Sequence, residues 1–121
     1  MTNYPQYRGE IQQLATKLGR EISGTMSGFA SLHKGAIAEG TLSAKAKELI
    51  ALGIAIAVRC GGCIAYHVHD AIRAGASREE VVETIGVAIL MGGGPAMMYG
   101  CEALAAFEQY QVSLQSARNG E

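Results

Sequence analysis

Tryptophan is absent from this chain, phenylalanine and proline each occur only twice, and charge of neither sign predominates. No stretch supplies the roughly 20 uninterrupted apolar residues that a membrane span requires. Ile54 to Val58 is apolar, but Arg59 follows. The opening residues Met1-Thr2-Asn3-Tyr4-Pro5-Gln6-Tyr7 lack the apolar centre of a signal peptide, so a cytoplasmic protein is expected. Ten basic residues face eleven acidic ones for a net charge of −1, which leaves no electrostatic footprint for nucleic acid or an anionic membrane. Three cysteines are too few and too clustered for a secreted disulfide scaffold. A close pair in a reducing compartment reads instead as catalytic or metal-binding.

What is there is small and apolar. The 121 residues fit one domain, taken as 1–121, and 49% of them are hydrophobic, much of that alanine. Small side chains let helices approach closely, but in so short a chain they leave apolar area uncovered, and such patches mark partner surfaces. A homo-oligomer is expected.

Period-two alternation is nowhere sustained, and the chain reads as all-α. Ile11, Leu18, Ile22, Met26 and Phe29 form a helical stripe weakened by Gly19, Gly24 and Gly28, so two shorter helices fit as well as one. Ser43 can cap a helix from Ala44 to about Val58, whose Leu49-Ile50-Ala51-Leu52 run is apolar on nearly every side and predicts burial. A third helical segment starts near the cysteines and stops at Gly75, a C-terminal glycine cap. Ser77-Arg78-Glu79-Glu80 is a capping box, followed by an inward stripe of Val81, Ile85, Ala88 and Ile89. Gly92-Gly93-Gly94 ends that helix, and Pro95 opens a last one running through Met98, Cys101, Leu104 and Ala105 towards Asn119. The triple glycine follows no strand and carries no Gly-Lys-Ser/Thr, so it is not a phosphate loop.

The chemistry concentrates in Cys60-Gly61-Gly62-Cys63-Ile64-Ala65-Tyr66-His67. Two thiols in this spacing can close into a disulfide and reopen. On a continuous helix Cys60, Cys63 and His67 fall within an arc of about 60°. Cys63 and His67 stand in the i, i+4 relation that lets side chains touch. The thiolate is the reactive species, and either a helix N-terminus or a neighbouring imidazole can favour it. The two glycines remove bulk beside the sulfurs and leave room for a peroxide or disulfide. Glu48 lies within an otherwise apolar segment, either on an exposed edge, where Lys45 or the surroundings of Lys47 could pair with it, or inside with a partner. If it faces His67, the two make a proton relay that can take the thiol proton.

Glu48, eleven residues, Cys60-x-x-Cys63, three residues, His67: this pattern resembles the active-site signature of the alkylhydroperoxidase D-like proteins of the carboxymuconolactone decarboxylase superfamily. The resemblance covers roughly two-thirds of the chain. It begins at Phe29 and takes in Leu42 to Ile50, Ala74 to Glu83 and Gly92-Gly93-Gly94-Pro95. It implies a helical fold around a central antiparallel hairpin, assembled as a trimer or hexamer. By similarity Cys63 is the peroxide-attacking thiolate, Cys60 resolves its sulfenic acid to a disulfide, and Glu48 and His67 deprotonate Cys63. The reductant it implies is a dithiol of lipoyl or thioredoxin type. Where alkylhydroperoxidase D, a longer chain, has a histidine between the cysteines, this one has Gly62. In thioredoxin-like motifs, by contrast, the more N-terminal thiol is usually the attacker.

Other readings stand beside this one. A lyase acting on a small carboxylated lactone would use His67 and Glu48 as acid and base, leaving the thiols incidental. A zinc site from Cys60, Cys63, His67 and His69 would need the two histidines to converge, although they lie about 200° apart on a helix. No flavin, haem or nucleotide motif is present, and neither cofactor nor metal is expected. His69 is expected to be exposed or at an interface, and His33 to be structural or to line a neighbouring subunit's site. Cys101 is expected in the core with Met97, Met98 and Leu104.

Overall fold

The computed structural model describes residues 1–120 and is helical throughout that range: α1 (Tyr4–Glu21), α2 (Ser23–Ile37), α3 (Ala44–Ala57), α4 (Gly61–Arg73), α5 (Arg78–Gly92) and α6 (Gly94–Arg118). The first region is two helices, broken at Ile22, whose backbone (φ −133°, ψ 58°) leaves helical geometry. Asn3 caps α1 by accepting from the Gln6 amide, Ser43 caps α3 through Ala46, and Ser77 with Glu80 forms the expected capping box on α5. Pro5 and Pro95 sit in first turns, where no amide is required.

α3 packs against α4 and α5, and α6 crosses α1, α3, α4 and α5. Leu52, Ile56, Ile64, Val68 and Val81 are fully buried between these elements, with Tyr4 closing one end. The inward face of α6 is made of small residues, Ala96, Gly100, Ala103 and Ala106, followed by Phe107 and Tyr110. A Cβ at Gly100 would lie 2.7 Å from Cγ2 of Ile85, so α5 and α6 meet at a distance only glycine permits. That stripe decides where Cys101 points: it is exposed, as are Met97 and Met98, and not in the core as expected. In the first half of α6 close helix packing reserves the core face for alanine and glycine, so Met97, Met98 and Cys101 turn outward.

Two apolar faces lie open within a single chain, the first against expectation. α3 is not buried on every side, because Ile50 and Ile54 are exposed. The α1–α2 stripe is not covered either: Leu18, Ile22 and Phe29 are exposed, and α2 buries no residue. Among the described residues no helix is long and apolar enough to cross a membrane.

The connection from α3 to α4 positions the site. Arg59 has φ 62°, a left-handed conformation that costs a non-glycine residue roughly 1 kcal/mol. Its amide bonds the Ile56 carbonyl, and the Cys60 amide bonds the Ala55 carbonyl. Those two bonds are a Schellman closure of α3, and Gly75 (φ 95°) repeats it at the end of α4. Arg59→Gly should therefore raise the unfolding free energy by about 1 kcal/mol, and Gly100→Ala should lower it by about 1–3 kcal/mol, both read from urea denaturation.

The capping box yields a second test. The Ser77 amide beside the Glu80 carboxylate holds it below the usual carboxylate range, and Lys45, 2.9 Å away, adds to this. A lowered folded value contributes stability above the unfolded pKa that is lost as pH falls through the folded one. Glu80→Gln should flatten the acid limb of a stability–pH profile, and Ser77→Ala should cost about 1 kcal/mol at neutral pH.

Candidate active site

Cys60 ends one helix and begins the next. Its backbone (φ −109°, ψ 99°) is extended, and its Sγ accepts from the Cys63 amide at 3.1 Å as the N-cap of α4. It is therefore not on the helix, and the continuous-helix arc drawn through Cys60, Cys63 and His67 does not describe the structure. The face that exists on α4 carries Cys63, His67 and Asp70, within an arc of about 60°. Cys60 and Cys63 are joined by a disulfide, with Cα atoms 5.2 Å apart. Tyr7 of α1 lies over the intervening turn: Cβ atoms built at Gly61 and Gly62 would each sit 3.7 Å from its ring or hydroxyl. Part of the room left by the two glycines is thus taken by a phenol.

Glu48 projects from α3 towards α4 and is 3% exposed. Its Oε1 stands 3.4 Å from Nδ1 of His67, so the two residues face each other across the α3–α4 interface. Neither atom is in hydrogen-bond geometry with a described partner. Neither lysine neighbour competes: Lys45 pairs with Glu80, and Lys47 donates to the Ala38 carbonyl at 2.6 Å. Burial pushes the Glu48 carboxyl above its ordinary range; His67 opposes this, Asp70 adds to it, and His33 opposes it.

Two further residues join this cluster, one of them the His33 expected to be structural or to line a neighbouring subunit's site. His33 of α2 stacks on His67, ring centroids 6.3 Å apart and planes 25° from parallel, within the same chain. Nothing in the sequence spacing ties position 33 to position 67, since the contact depends on how α2 folds back. Asp70 follows His67 by three residues, a relation the helical period does reveal. His33, Glu48 and Asp70 share an open cleft of about 380 Å³ with Ile37, Ala44, Arg73 and Ala74. His69 is partly buried on another face, its Nδ1 2.8 Å from Oδ1 of Asp70 and its ring edge-on to Tyr110. The four-ligand zinc arrangement is not formed, because the sulfurs are bonded to each other and the two histidines diverge.

The opposite side of α4 is held by polar contacts. Tyr110 donates to the Ala65 carbonyl at 2.7 Å, and burial raises its phenol to about 12. Arg8 lies 5.0 Å above the Tyr66 ring. These contacts fix the rotation of α4 and hence the direction of its Cys63–His67–Asp70 face.

Fold and site together define an all-helical protein with a disulfide at a helix start and a buried carboxylate–imidazole pair beside it. The sequence profile of the carboxymuconolactone decarboxylase family matches residues 24–106, and the chain belongs to that family. It is 39% identical over 99 residues to an uncharacterized protein of Cupriavidus necator, covering 82% of this chain and 88% of that one. It is also 38% identical over 81 residues to an uncharacterized protein of the cox locus of Paracoccus denitrificans, covering 67% and 73% of the two chains. The crystal structure of a carboxymuconolactone decarboxylase family protein from Legionella pneumophila, in its apo form, superposes with a TM-score of 0.86. It has 42% identity and covers 88% of this chain and 96% of its own. A family member from Thermotoga maritima, for which antioxidative response is named as a possible role, gives a TM-score of 0.71. Its identity is 27%, and it covers 88% of this chain and 95% of its own.

A buried carboxylate oxygen outside hydrogen-bond geometry is a structural burden. Because burial raises the Glu48 carboxyl, its ionisation works against the fold as pH rises. Glu48→Gln is expected to raise the urea midpoint at neutral pH and to flatten the fall in stability above the carboxylate range. A lowered midpoint would identify the carboxylate as a net stabiliser.

Proposed function

We propose that the chain is a thiol–disulfide oxidoreductase that reduces hydroperoxides. The observation carrying this reading is the Cys60–Cys63 disulfide at the start of α4, one turn before an imidazole backed by the buried Glu48. In the reduced protein His67 takes the Cys63 proton, directly or through water, at Nε2, the nitrogen turned from Glu48. Glu48 orients the ring and offsets the charge it acquires. The Cys63 thiolate attacks one peroxide oxygen; the O–O bond breaks, an alcohol leaves with the returned proton, and Cys63 becomes a sulfenic acid. The Cys60 thiol then attacks that sulfur, water leaves, and the disulfide forms. Two electrons have passed from the dithiol to the peroxide. An external dithiol, of lipoyl or thioredoxin type, restores the pair by exchange.

The division of labour between the sulfurs has a physical counterweight. The Cys63 amide and the N-terminus of α4 favour negative charge on Cys60, whereas the i, i+4 relation to His67 favours proton loss from Cys63. The assignment of Cys63 as attacker follows the imidazole. A second reading, a lyase opening or decarboxylating a small carboxylated lactone with His67 and Glu48 as acid and base, is favoured by the family's name.

Self-association is part of the proposal, as a trimer or hexamer. A groove of about 470 Å³ between α3 and α5, lined by Ile50, Ile54, Val87 and Met91, is almost wholly apolar, and Phe29 and Leu32 are exposed on α2. Association would cover these faces in a cytoplasmic, reducing setting.

Cys60→Ser treated with an alkyl hydroperoxide should accumulate a dimedone-reactive sulfenic acid at Cys63, seen by peptide mass spectrometry. Cys63→Ser should form none at Cys60. His67→Gln should slow oxidation of the dithiol by roughly 10²–10⁴-fold. Sulfenic acid at Cys60 would reverse the roles, and lactone turnover surviving Cys60→Ser with Cys63→Ser would favour the lyase.

A further inference from the structure

The cleft between α2, α3 and α4 brings together one imidazole and two carboxylates. A ligand atom from each of His33, Glu48 and Asp70 lies within 4.8 Å of the others. The three come from three different helices, so the grouping is a product of tertiary packing and not of local spacing.

A second, independent feature points at a ligand. Glu48 lines the cleft and is 3% exposed, and its buried Oε1, 3.4 Å from His67 Nδ1, has no partner in hydrogen-bond geometry among the described residues. Burying an ionised carboxylate so poorly satisfied is costly, and a cation in the cleft would satisfy it. Arg73 lines the mouth of the same cleft but forms no ion pair with Glu48 or Asp70 among the described residues. Asp70 is held in place by His69, whose Nδ1 lies 2.8 Å from its Oδ1. Carboxylates that ligate metals are themselves commonly held by outer hydrogen bonds.

We infer that His33, Glu48 and Asp70 form a binding site for a divalent transition-metal cation. One nitrogen and two carboxylate ligands neutralise a doubly charged ion and suit zinc, cobalt or manganese. Magnesium and calcium prefer all-oxygen shells, and copper(I) prefers sulfur. Three protein ligands in an open cleft leave the remaining coordination positions to water or a small anion. The cysteines are not part of the site, and the inference does not depend on the thiol reaction proposed above.

Cobalt(II) is the probe, titrated into the untagged full-length Cys101→Ser protein with Cys60 and Cys63 held as the disulfide. Visible d–d absorption reports bound metal, calorimetry gives stoichiometry, and zinc serves as competitor. One cobalt per chain is expected, displaced by zinc, with affinity falling at least about 10- to 100-fold in His33→Ala and in Asp70→Asn. His33 is exposed and accepts no packing role in the core, so His33→Ala tests ligation without threatening the fold; circular dichroism checks this. Absence of one-to-one binding overturns the inference. So does binding indifferent to both substitutions, or binding that requires the reduced dithiol, which would move the metal to the sulfurs.

Discussion

The turn from α3 to α4 is the constraint on which the site depends. Cys60 is held from both sides: its amide bonds the last turn of α3, and its sulfur caps the first turn of α4. A residue shared by two helix ends has little freedom left, so the distance and direction from Cys60 to Cys63 are set by backbone hydrogen bonds. The left-handed Arg59 is the strained residue that makes this handover possible, and strain of that kind is typical beside functional groups. Once the turn is fixed, the period of α4 aims Cys63, His67 and Asp70 at α3, and Glu48 meets them there.

Stability and chemistry pull against each other at that meeting point. An apolar side chain at position 48 would suit its surroundings, with Leu52 and Ile56 buried further along α3. The carboxylate instead sits desolvated beside an imidazole and near a second carboxylate. Low surrounding polarity strengthens every charge interaction the pair makes, which is the condition a relay or an ion site needs.

Much of the architecture was legible because it is local. The caps at Ser43 and Ser77, the glycine stop at Gly75 and the Pro95 start are written in short spacings whose physics acts within one turn. Of the site, Cys63 and His67 were legible through the period of α4, whereas the pairing of Glu48 with His67 across two helices was carried mainly by the family pattern. Three things were not. Cys60 reads as helical until the Schellman bonds to Ala55 and Ile56 are seen. His33 carries no spacing signal, because only the fold-back of α2 brings it to His67. Cys101 was assigned by its hydrophobic neighbours, whereas the approach of Gly100 to Ile85 selects the inner face of α6 by size.

α2 has a consequence for the cleft it borders. It contributes no side chain to the interior, while Glu48 and Asp70 stand on the closely packed α3–α4 pair. Elements with few interior contacts open at the lowest free-energy cost. The cleft therefore has two anchored walls and one lightly tethered wall, and His33 rides on the latter. How long all three side chains stay within reach is then set less by the packing inside one chain than by whatever covers the outer face of α2.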